Sequence, residues 1–256
     1  MDIQQLKQFN LLLIGDGCYD VYHFGNCTRL SPEAPVPIFT EHRTEIRPGM
    51  CLNVERNLQG LSQHVTTFAN KEEIKKERFI EENYNHHLLR LDKEPEHIVP
   101  YVFKSEHLTK NLSAVVISDY DKGFITHNNA KALVSNAIMK QIPVFVDSKK
   151  RDLSCFENCT IKINSHERER VETLPKQCEL ITTAGKHGAY WNDFVFPAVK
   201  TEIFDVCGAG DVFLSGLVCS YLHKKSLAEA IIFANKCASI SVSHAGTYAI
   251  QLEDLR

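Results

Sequence analysis

The sequence has one tryptophan, three methionines and no apolar run near the ~18 residues that a membrane-spanning helix needs. It has no surplus of either charge. Its 29 Lys and Arg stand against 32 Asp and Glu, a net charge of −3, so no basic field marks it for nucleic acid or an anionic membrane surface. Its nine cysteines are odd in number and scattered, and none forms a C-x-x-C; the closest pair is Cys155 and Cys159. Neither a disulfide framework nor a zinc site is expected. Met1–Gln5 lacks the basic-then-apolar form of a signal peptide, so a cytoplasmic location is expected, and the N-x-[ST] sequons at Asn26, Asn111 and Asn158 read as chance. No Walker A loop is present, because Gly185-Lys186 is followed by His187. Gly15-Asp16-Gly17 fails as a dinucleotide fingerprint, because Asp20 stands where the third glycine belongs. What remains is a globular composition, 43% hydrophobic and 24% charged over 256 residues, enough for one large domain or one with a small appendage.

Apolar runs alternate with helical patterns along the chain. Leu11–Ile14, Ala114–Ile117 and Pro143–Val146 read as buried strands, with further strands at Thr160–Ile163 and Glu179–Thr182. Thr126 is placed to cap a helix to about Lys140, whose apolar face carries Ala130, Leu133, Val134, Ala137 and Ile138. Strand, helix and strand in that order make a βαβ unit with a parallel pair. Two helices, about Ala209–His223 and Leu227–Ser243, close an α/β doubly wound pattern. Residues 36–47 have the texture of short exposed strands, an inserted β-flap. The charged stretch 71–97 reads as a solvated face, with flap strands around Arg78–Ile80 and Leu88–Leu91.

The strongest chemical signal is Asp205-Val206-Cys207-Gly208-Ala209-Gly210-Asp211, a small-residue turn opening directly into an apolar helix. Glycines there let a ligand approach the backbone, and the first helical N–H groups favour an anion, most simply phosphate. A carboxylate at Asp211 would repel that phosphate. It is explained either as a helix cap or as a base that takes a proton from a hydroxyl attacking the phosphate.

These residues resemble the ribokinase-like (PfkB-type) carbohydrate kinases, and within them the kinases of ADP-heptose synthesis. The resemblance runs nearly end to end: Gly15-Asp16 and Asp20, Ser31–Pro37, Arg47-Pro48-Gly49 with Asn53, Leu89–Asp92, Ser118–Gly123, Val146–Lys149, Asn164-Ser165-His166-Glu167, Thr183–Gly188, Asp205–Asp211, and Ala234-Asn235 with Gly246-Thr247. It implies a single domain over 1–256. The fold would be ribokinase-like and doubly wound, a mostly parallel sheet flanked by helices, with a small β-flap lid from about 36–47 and 77–103. It implies ATP and Mg²⁺ as cofactors and a phosphorylated heptose as acceptor, phosphorylated at C1. Asp211 would be the base, with Gly208, Ala209 and Gly210 as the anion hole. Asp16, Asp20, Gly49 and Asn53 would hold sugar hydroxyls, and Asp119 and Lys122 would lie near the phosphate end of the cleft. Asn164 and Glu167 would organise the metal and its waters. Thr183, Gly185 and Gly188 would line the nucleotide site, with Asn235 beside the adenine. A homodimer through the flap is a further expectation.

The sequence also departs from that family. Met50 replaces the second glycine of a Gly-Gly pair, which would either crowd the sugar pocket or turn its side chain away. Cys207 replaces a threonine. After Gly60-Leu61 a strand–helix unit is expected to be missing, because the chain passes almost directly from Val65–Phe68 to Lys71–Lys76 and the flap. These departures leave open a second reading, a degenerate member that binds sugar or nucleotide as a regulator without turnover.

Overall fold

The computed structural model describes residues 8–84, 86–244 and 246–256; Met1–Gln5, read above for a signal, lies outside them. The run Leu11-Leu12-Leu13-Ile14 forms β1 (Asn10–Gly15), buried on both faces as an interior parallel strand must be. Its side chains alternate. Leu11 and Leu13 enter one core with Val54, Leu58, Leu214 and Leu217, whereas Leu12 and Ile14 enter the other with Val115, Ile117, Leu133 and Val134. The first core is covered by α1 (Cys51–Gly60), α4 (Ala209–Lys224) and α5 (Leu227–Ser241); α2 (His127–Met139) packs on the second. Thr126 caps α2 as expected, its hydroxyl accepting the Asn129 N–H at 3.3 Å.

Strands β4 (His64–Ala69), β7 (Leu112–Asp119), β8 (Val144–Ser148), β9 (Cys159–Asn164) and β10 (Cys178–Thr183) join β1 in parallel. A hairpin, β11 (Ala189–Trp191) and β12 (Phe194–Phe196), finishes one edge antiparallel, giving the order β12-β11-β10-β9-β8-β7-β1-β4. The α/β, mostly parallel architecture expected from the sequence is the one observed.

The flap is larger than expected. It is a four-stranded sheet in the order β3-β2-β5-β6, from β2 (Gly17–Leu30), β3 (Pro37–Met50), β5 (Lys75–Glu81) and β6 (His86–Lys93). The central strand β2 was not expected from the sequence, and residues 94–103 carry no strand. Polar Asp20, His23 and Asn26 interrupt the apolar run of β2, which hides its period. Val65–Phe68 lie in β4 on the sheet edge, and the chain passes from there across residues 70–74 to β5 of the flap with neither a helix nor a further core strand between them.

Core sheet and flap meet at Asp16, the single residue between β1 and β2, whose carbonyl accepts the Cys51 N–H at 3.0 Å and so fixes the start of α1. Just before that start, Met50 has φ 55° and ψ −132°, backbone that favours glycine. Its side chain is buried against Cys18 and Ile74, so it turns away from solvent and does not crowd an open pocket. Truncation to alanine loses about 2–5 kcal/mol of packing and keeps the strained φ. Met50→Gly loses the same packing and relieves strain of about 1–3 kcal/mol. The glycine variant should therefore unfold at higher urea than Met50→Ala, the reverse of the usual order; a lower midpoint for glycine would mean that Met50 carries no strain.

Candidate active site

The C-terminal ends of β8, β9 and β10, the residue after β7 and the N-terminus of α4 face one cavity of about 700 Å³. Ligands of open α/β sheets bind at this edge, where loops and helix N-termini converge. Gly208 enters α4 at φ 77°, which places Gly208, Ala209, Gly210 and Asp211 on the cavity wall. The Gly208 and Gly210 N–H groups have no backbone acceptor among the described residues, whereas Ala209 already donates to the Val206 carbonyl at 3.3 Å. The anion hole expected of three residues thus offers two uncommitted N–H groups. The turn is clamped by Asp205, which accepts the Cys207 and Gly246 N–H groups, both at 2.9 Å. Because Cys207 is held through its backbone, its replacement of threonine leaves the turn intact.

Asp211 is 4% exposed and, among the described residues, has no cation within hydrogen-bond distance. Asn53 Nδ2 donates to its Oδ2 at 2.8 Å, and the Tyr120 hydroxyl donates to its Oδ1 at 3.1 Å. Burial pushes its carboxyl up to about 6, and these donors and the nearby Lys162 only partly offset that. The result is a fixed, poorly solvated carboxylate that holds a proton more readily than an exposed aspartate.

Across the cavity lie two further carboxylates with their own cations. Lys162 Nζ meets Asp147 Oδ2 at 2.6 Å, and both are buried. Lys149 pairs with Glu167 and stands 3.7 Å from Asp147 Oδ1. Burial raises the Asp147 pKa, but the two ammonium groups outweigh it and hold the carboxyl below its ordinary range. Asn164 and Glu167 form a reciprocal capping box on α3 (Ser165–Arg170): Asn164 Oδ1 accepts the Glu167 N–H at 2.9 Å, and Glu167 Oε2 accepts the Asn164 N–H at 2.7 Å. Asn164 lines the cavity beside Asp147, Lys149 and Lys162.

Thr183, Gly185, Gly188 and Asn235 line the same cavity. Gly188, at φ 87°, lies so close to the Phe196 carbonyl that no Cβ fits. Asn235 Nδ2 donates to the Phe196 and Pro197 carbonyls at 3.0 and 3.3 Å, so it anchors the segment forming the outer wall. Apolar Val199, Ile203, Val206 and Val242 complete a surface suited to a flat aromatic ring.

Several residues expected to hold sugar are placed otherwise. Asp16 is fully buried and accepts the backbone N–H groups of Tyr120, Lys122 and Phe124 at 2.7, 3.4 and 3.4 Å, so it shapes the 119–124 loop and does not line the cavity. Asn53 is fully buried; its Nδ2 donates to Asp211 and its Oδ1 accepts from Asn57 at 3.3 Å, so both ends of its amide are committed within the protein. Asp119 is fully buried on Ser148, Lys150 and the Asp121 N–H, away from the cavity wall. Lys122 pairs with Glu94 at 2.5 Å and does not line the cavity. Asp20 and Gly49 lie together on paired strands, and a Cβ on Gly49 would overlap Asp20 Oδ2. Asp20 Oδ1 takes the Arg78 guanidinium at 2.6 Å.

Sequence reasoning missed Tyr120, Lys149 and Lys162 on the cavity wall, and the cations Lys76 and Arg78 next to Asp20 in the flap. Tyr120 and Lys149 lay inside quoted motifs, and the others carried no local signal. Register reveals the flap pair, since Asp20 stands opposite Lys76 on β5, and the Lys76 ammonium sits 5.1 Å from the Tyr120 ring centroid.

Residues 152–254 match the pfkB family carbohydrate kinase model. The bifunctional protein HldE of Pseudomonas entomophila is 30% identical over 100% of this chain and 65% of its own length, and that of Campylobacter jejuni (strain RM1221) is 28% identical over 96% and 64%. The chain is thus similar to the PfkB carbohydrate kinases. It spans less than two thirds of the length of those curated relatives. Phosphofructokinase-2 from Escherichia coli, crystallised with potassium, superposes with a TM-score of 0.73 at 15% identity, covering 97% of both chains. Arabidopsis thaliana ribokinase, with ribose and ATP, gives 0.70 at 12%, covering 97% of this chain and 98% of that one. The fold is therefore ribokinase-like.

The different contacts of Asn53 and Asp20 predict different effects of their substitution. Asn53→Ala removes a donor from the base and should lower kcat by about 10–100-fold with little change in sugar KM. Asp20→Asn should act chiefly on sugar KM. Steady-state kinetics on the two variants checks this, and a purely KM effect at Asn53 would return it to the sugar site.

Proposed function

We propose that this chain transfers the γ-phosphoryl group of ATP to a sugar hydroxyl, the acceptor being the C1 hydroxyl of D-glycero-D-manno-heptose 7-phosphate. The observation that carries the reading is Asp211: a buried carboxylate at the mouth of a Gly-Ala-Gly helix entry, oriented through both oxygens by neutral donors and open to the cavity. A group so held accepts the proton of an attacking hydroxyl. The sugar oxygen forms its bond to the γ-phosphorus as the bond from that phosphorus to the β-bridging oxygen breaks, and ADP leaves. The Gly208 and Gly210 N–H groups are suited to the charge on the transferred group, and Lys162, packed 2.8 Å from where a Gly210 Cβ would stand, adds a cation beneath them. The regulator reading has no such support, since binding alone does not require an oriented, cation-free base.

The residues fit magnesium carried on a nucleotide. Asp147 Oδ1 is a buried oxygen with no hydrogen-bond partner, and Asn164 and Glu167 add oxygens beside it. Magnesium keeps several waters and takes few protein carboxylates. It would supply charge neutralisation of the phosphate oxygens, with Asp147 and Glu167 holding it.

The heptose reading rests on the HldE relatives and on the opening motifs, Ser31–Pro37 and Arg47-Pro48-Gly49. Lys76 and Arg78 beside Asp20 support a phosphorylated acceptor, because two cations next to the sugar side match a sugar phosphate better than a neutral sugar. A possible dimer through the flap belongs to this reading too, its exposed Leu30, Ile46, Leu89 and Leu91 offering apolar contact.

An ADP-release assay over a panel of sugars and sugar phosphates tests the assignment, and failure to turn over any of them would favour the regulator. Asp211→Asn should lower kcat by about 10²–10⁴ with ATP affinity kept, and near-normal turnover would remove Asp211 as base. Because the Asp211 carboxyl is raised to about 6, the protonated, inactive form grows below that pH, so kcat/KM should fall on the acid side of about pH 6 and be level above it. Asp119 is also raised to about 6, by burial, but it does not face the cavity, so Asp119→Asn should keep the limb. Lys76→Gln should raise KM for the phosphorylated acceptor about tenfold and leave that of an unphosphorylated sugar nearly unchanged, as loss of one charge-assisted contact predicts.

A further inference from the structure

We infer that Lys149 is a built-in counter-ion: in the nucleotide-free protein its ammonium fills the place of a divalent metal between Asp147 and Glu167, shuts free metal out, and turns to the phosphate oxygens when metal arrives already bound to nucleotide. The inference rests on the reading of this cavity as a nucleotide site.

Each of the two carboxylates has one oxygen tied to a fixed partner and one directed at Lys149. Asp147 Oδ2 is held by Lys162 at 2.6 Å, and Glu167 Oε2 by the Asn164 N–H at 2.7 Å. The other oxygen of Glu167 bonds Lys149. The other oxygen of Asp147 is buried without a hydrogen bond and stands 3.7 Å from the same ammonium, at ion-pair range but too far to be satisfied by it. Asp147 is 3% exposed. This is a two-carboxylate seat that a single ammonium fills incompletely.

Charge decides what can enter. Asp147 and Glu167 are balanced by Lys149 and Lys162, so a bare divalent ion would add two uncompensated positive charges to a poorly solvated site. The same ion on a triphosphate brings its own anion. Lys149 is the cation that can leave. Its side chain is 30% exposed on a flexible stem, whereas that of Lys162 is 3% exposed and locked under Gly210. It leaves toward the cavity it already lines, passing from the face of the Tyr120 ring, 4.9 Å from its centroid. Metal and nucleotide should therefore bind as a unit, and Lys149 should contribute to nucleotide affinity when no metal is present.

Electron paramagnetic resonance titration of nucleotide-free protein with Mn²⁺ tests this, paired with calorimetry of ATP binding in EDTA. The wild type should show no saturable Mn²⁺ site at submillimolar concentration. Lys149→Met should gain Mn²⁺ affinity by at least about tenfold and lose metal-free ATP affinity by about tenfold, the scale of one charge-assisted hydrogen bond made by a partly exposed group. Lys149→Arg should behave as the wild type toward Mn²⁺. Lys149→Gln, which keeps a donor for Glu167, replaces the methionine variant should that fail to fold. Submillimolar Mn²⁺ binding by the wild type, or no gain in a folded, ATP-binding neutral variant, would overturn the role of Lys149. A wild type that binds no ATP at all would overturn the nucleotide reading beneath it.

Discussion

Four carboxylates lie buried along the functional edge of one sheet, and how each is compensated organises the rest of the molecule. Asp16 is satisfied by backbone N–H groups, Asp119 by Lys150 and Ser148, and Asp147 by Lys162 and Lys149. Asp211 has only neutral side-chain donors. Two ammonium groups hold the Asp147 carboxyl below its ordinary range, whereas burial raises those of Asp16, Asp119 and Asp211, that of Asp119 in spite of Lys150. Of the four, Asp211 alone combines neutral support with a place on the cavity wall beside the anion-binding turn. Position on the cavity wall, together with neutral support, sets Asp211 apart from the other three.

The flap depends on the same edge. Asp16 ends β1 and begins β2, so the hydrogen bonds that satisfy its carboxylate also lock the loop carrying Tyr120, and its carbonyl starts the helix carrying Asn53. Both donors to Asp211 are therefore positioned from one buried residue. That explains why a sugar kinase would keep an aspartate there although it touches no cavity. The lack of a helix between β4 and β5 leaves this arrangement untouched, because none of the groups that orient Asp211 comes from that stretch.

The core was legible because its strands are continuous apolar runs and its helices carry caps and stripes. Leu11–Ile14, Thr126 and the Gly-Ala-Gly-Asp turn each encode their structure locally. The flap's central strand was not, since Asp20 and His23 break the apolar run of β2 and the strand is recognised only by its partners on β3 and β5. The site divided in the same way. Asp211 and its glycines form one contiguous motif, and the motif names them. The roles of Asn53 and Asp16 depend on what faces them from 158 and 104 residues away in the chain, and no local pattern carries that. Lys162 was hidden for a further reason: an apolar strand with one lysine reads as an exposed face, and only its buried partner Asp147, on the neighbouring strand, makes the position tenable.

The position of Asp211 poses an opposition that magnitude resolves. A helix N-terminus favours a carboxylate's charged form, by about 0.3–1 kcal/mol and up to about 2 when partly buried, which is at most about 1.5 pKa units downward. Burial acts the other way and reaches about 3–5 units for a fully buried acid. With the carboxyl at about 6, burial wins here. The helix entry keeps its uncommitted Gly208 and Gly210 N–H groups on the cavity wall, while Asp211 on its first turn keeps a raised proton affinity, as the proposed reaction requires. Were Asp211 solvated, the helix terminus would hold it ionised and unreactive; were it paired with Lys162, the result would be the same. Keeping Lys162 on Asp147, 15 residues away in the chain, is therefore a condition for Asp211 to act. The ion pair on β8 and β9 and the base on α4 are two halves of one electrostatic arrangement.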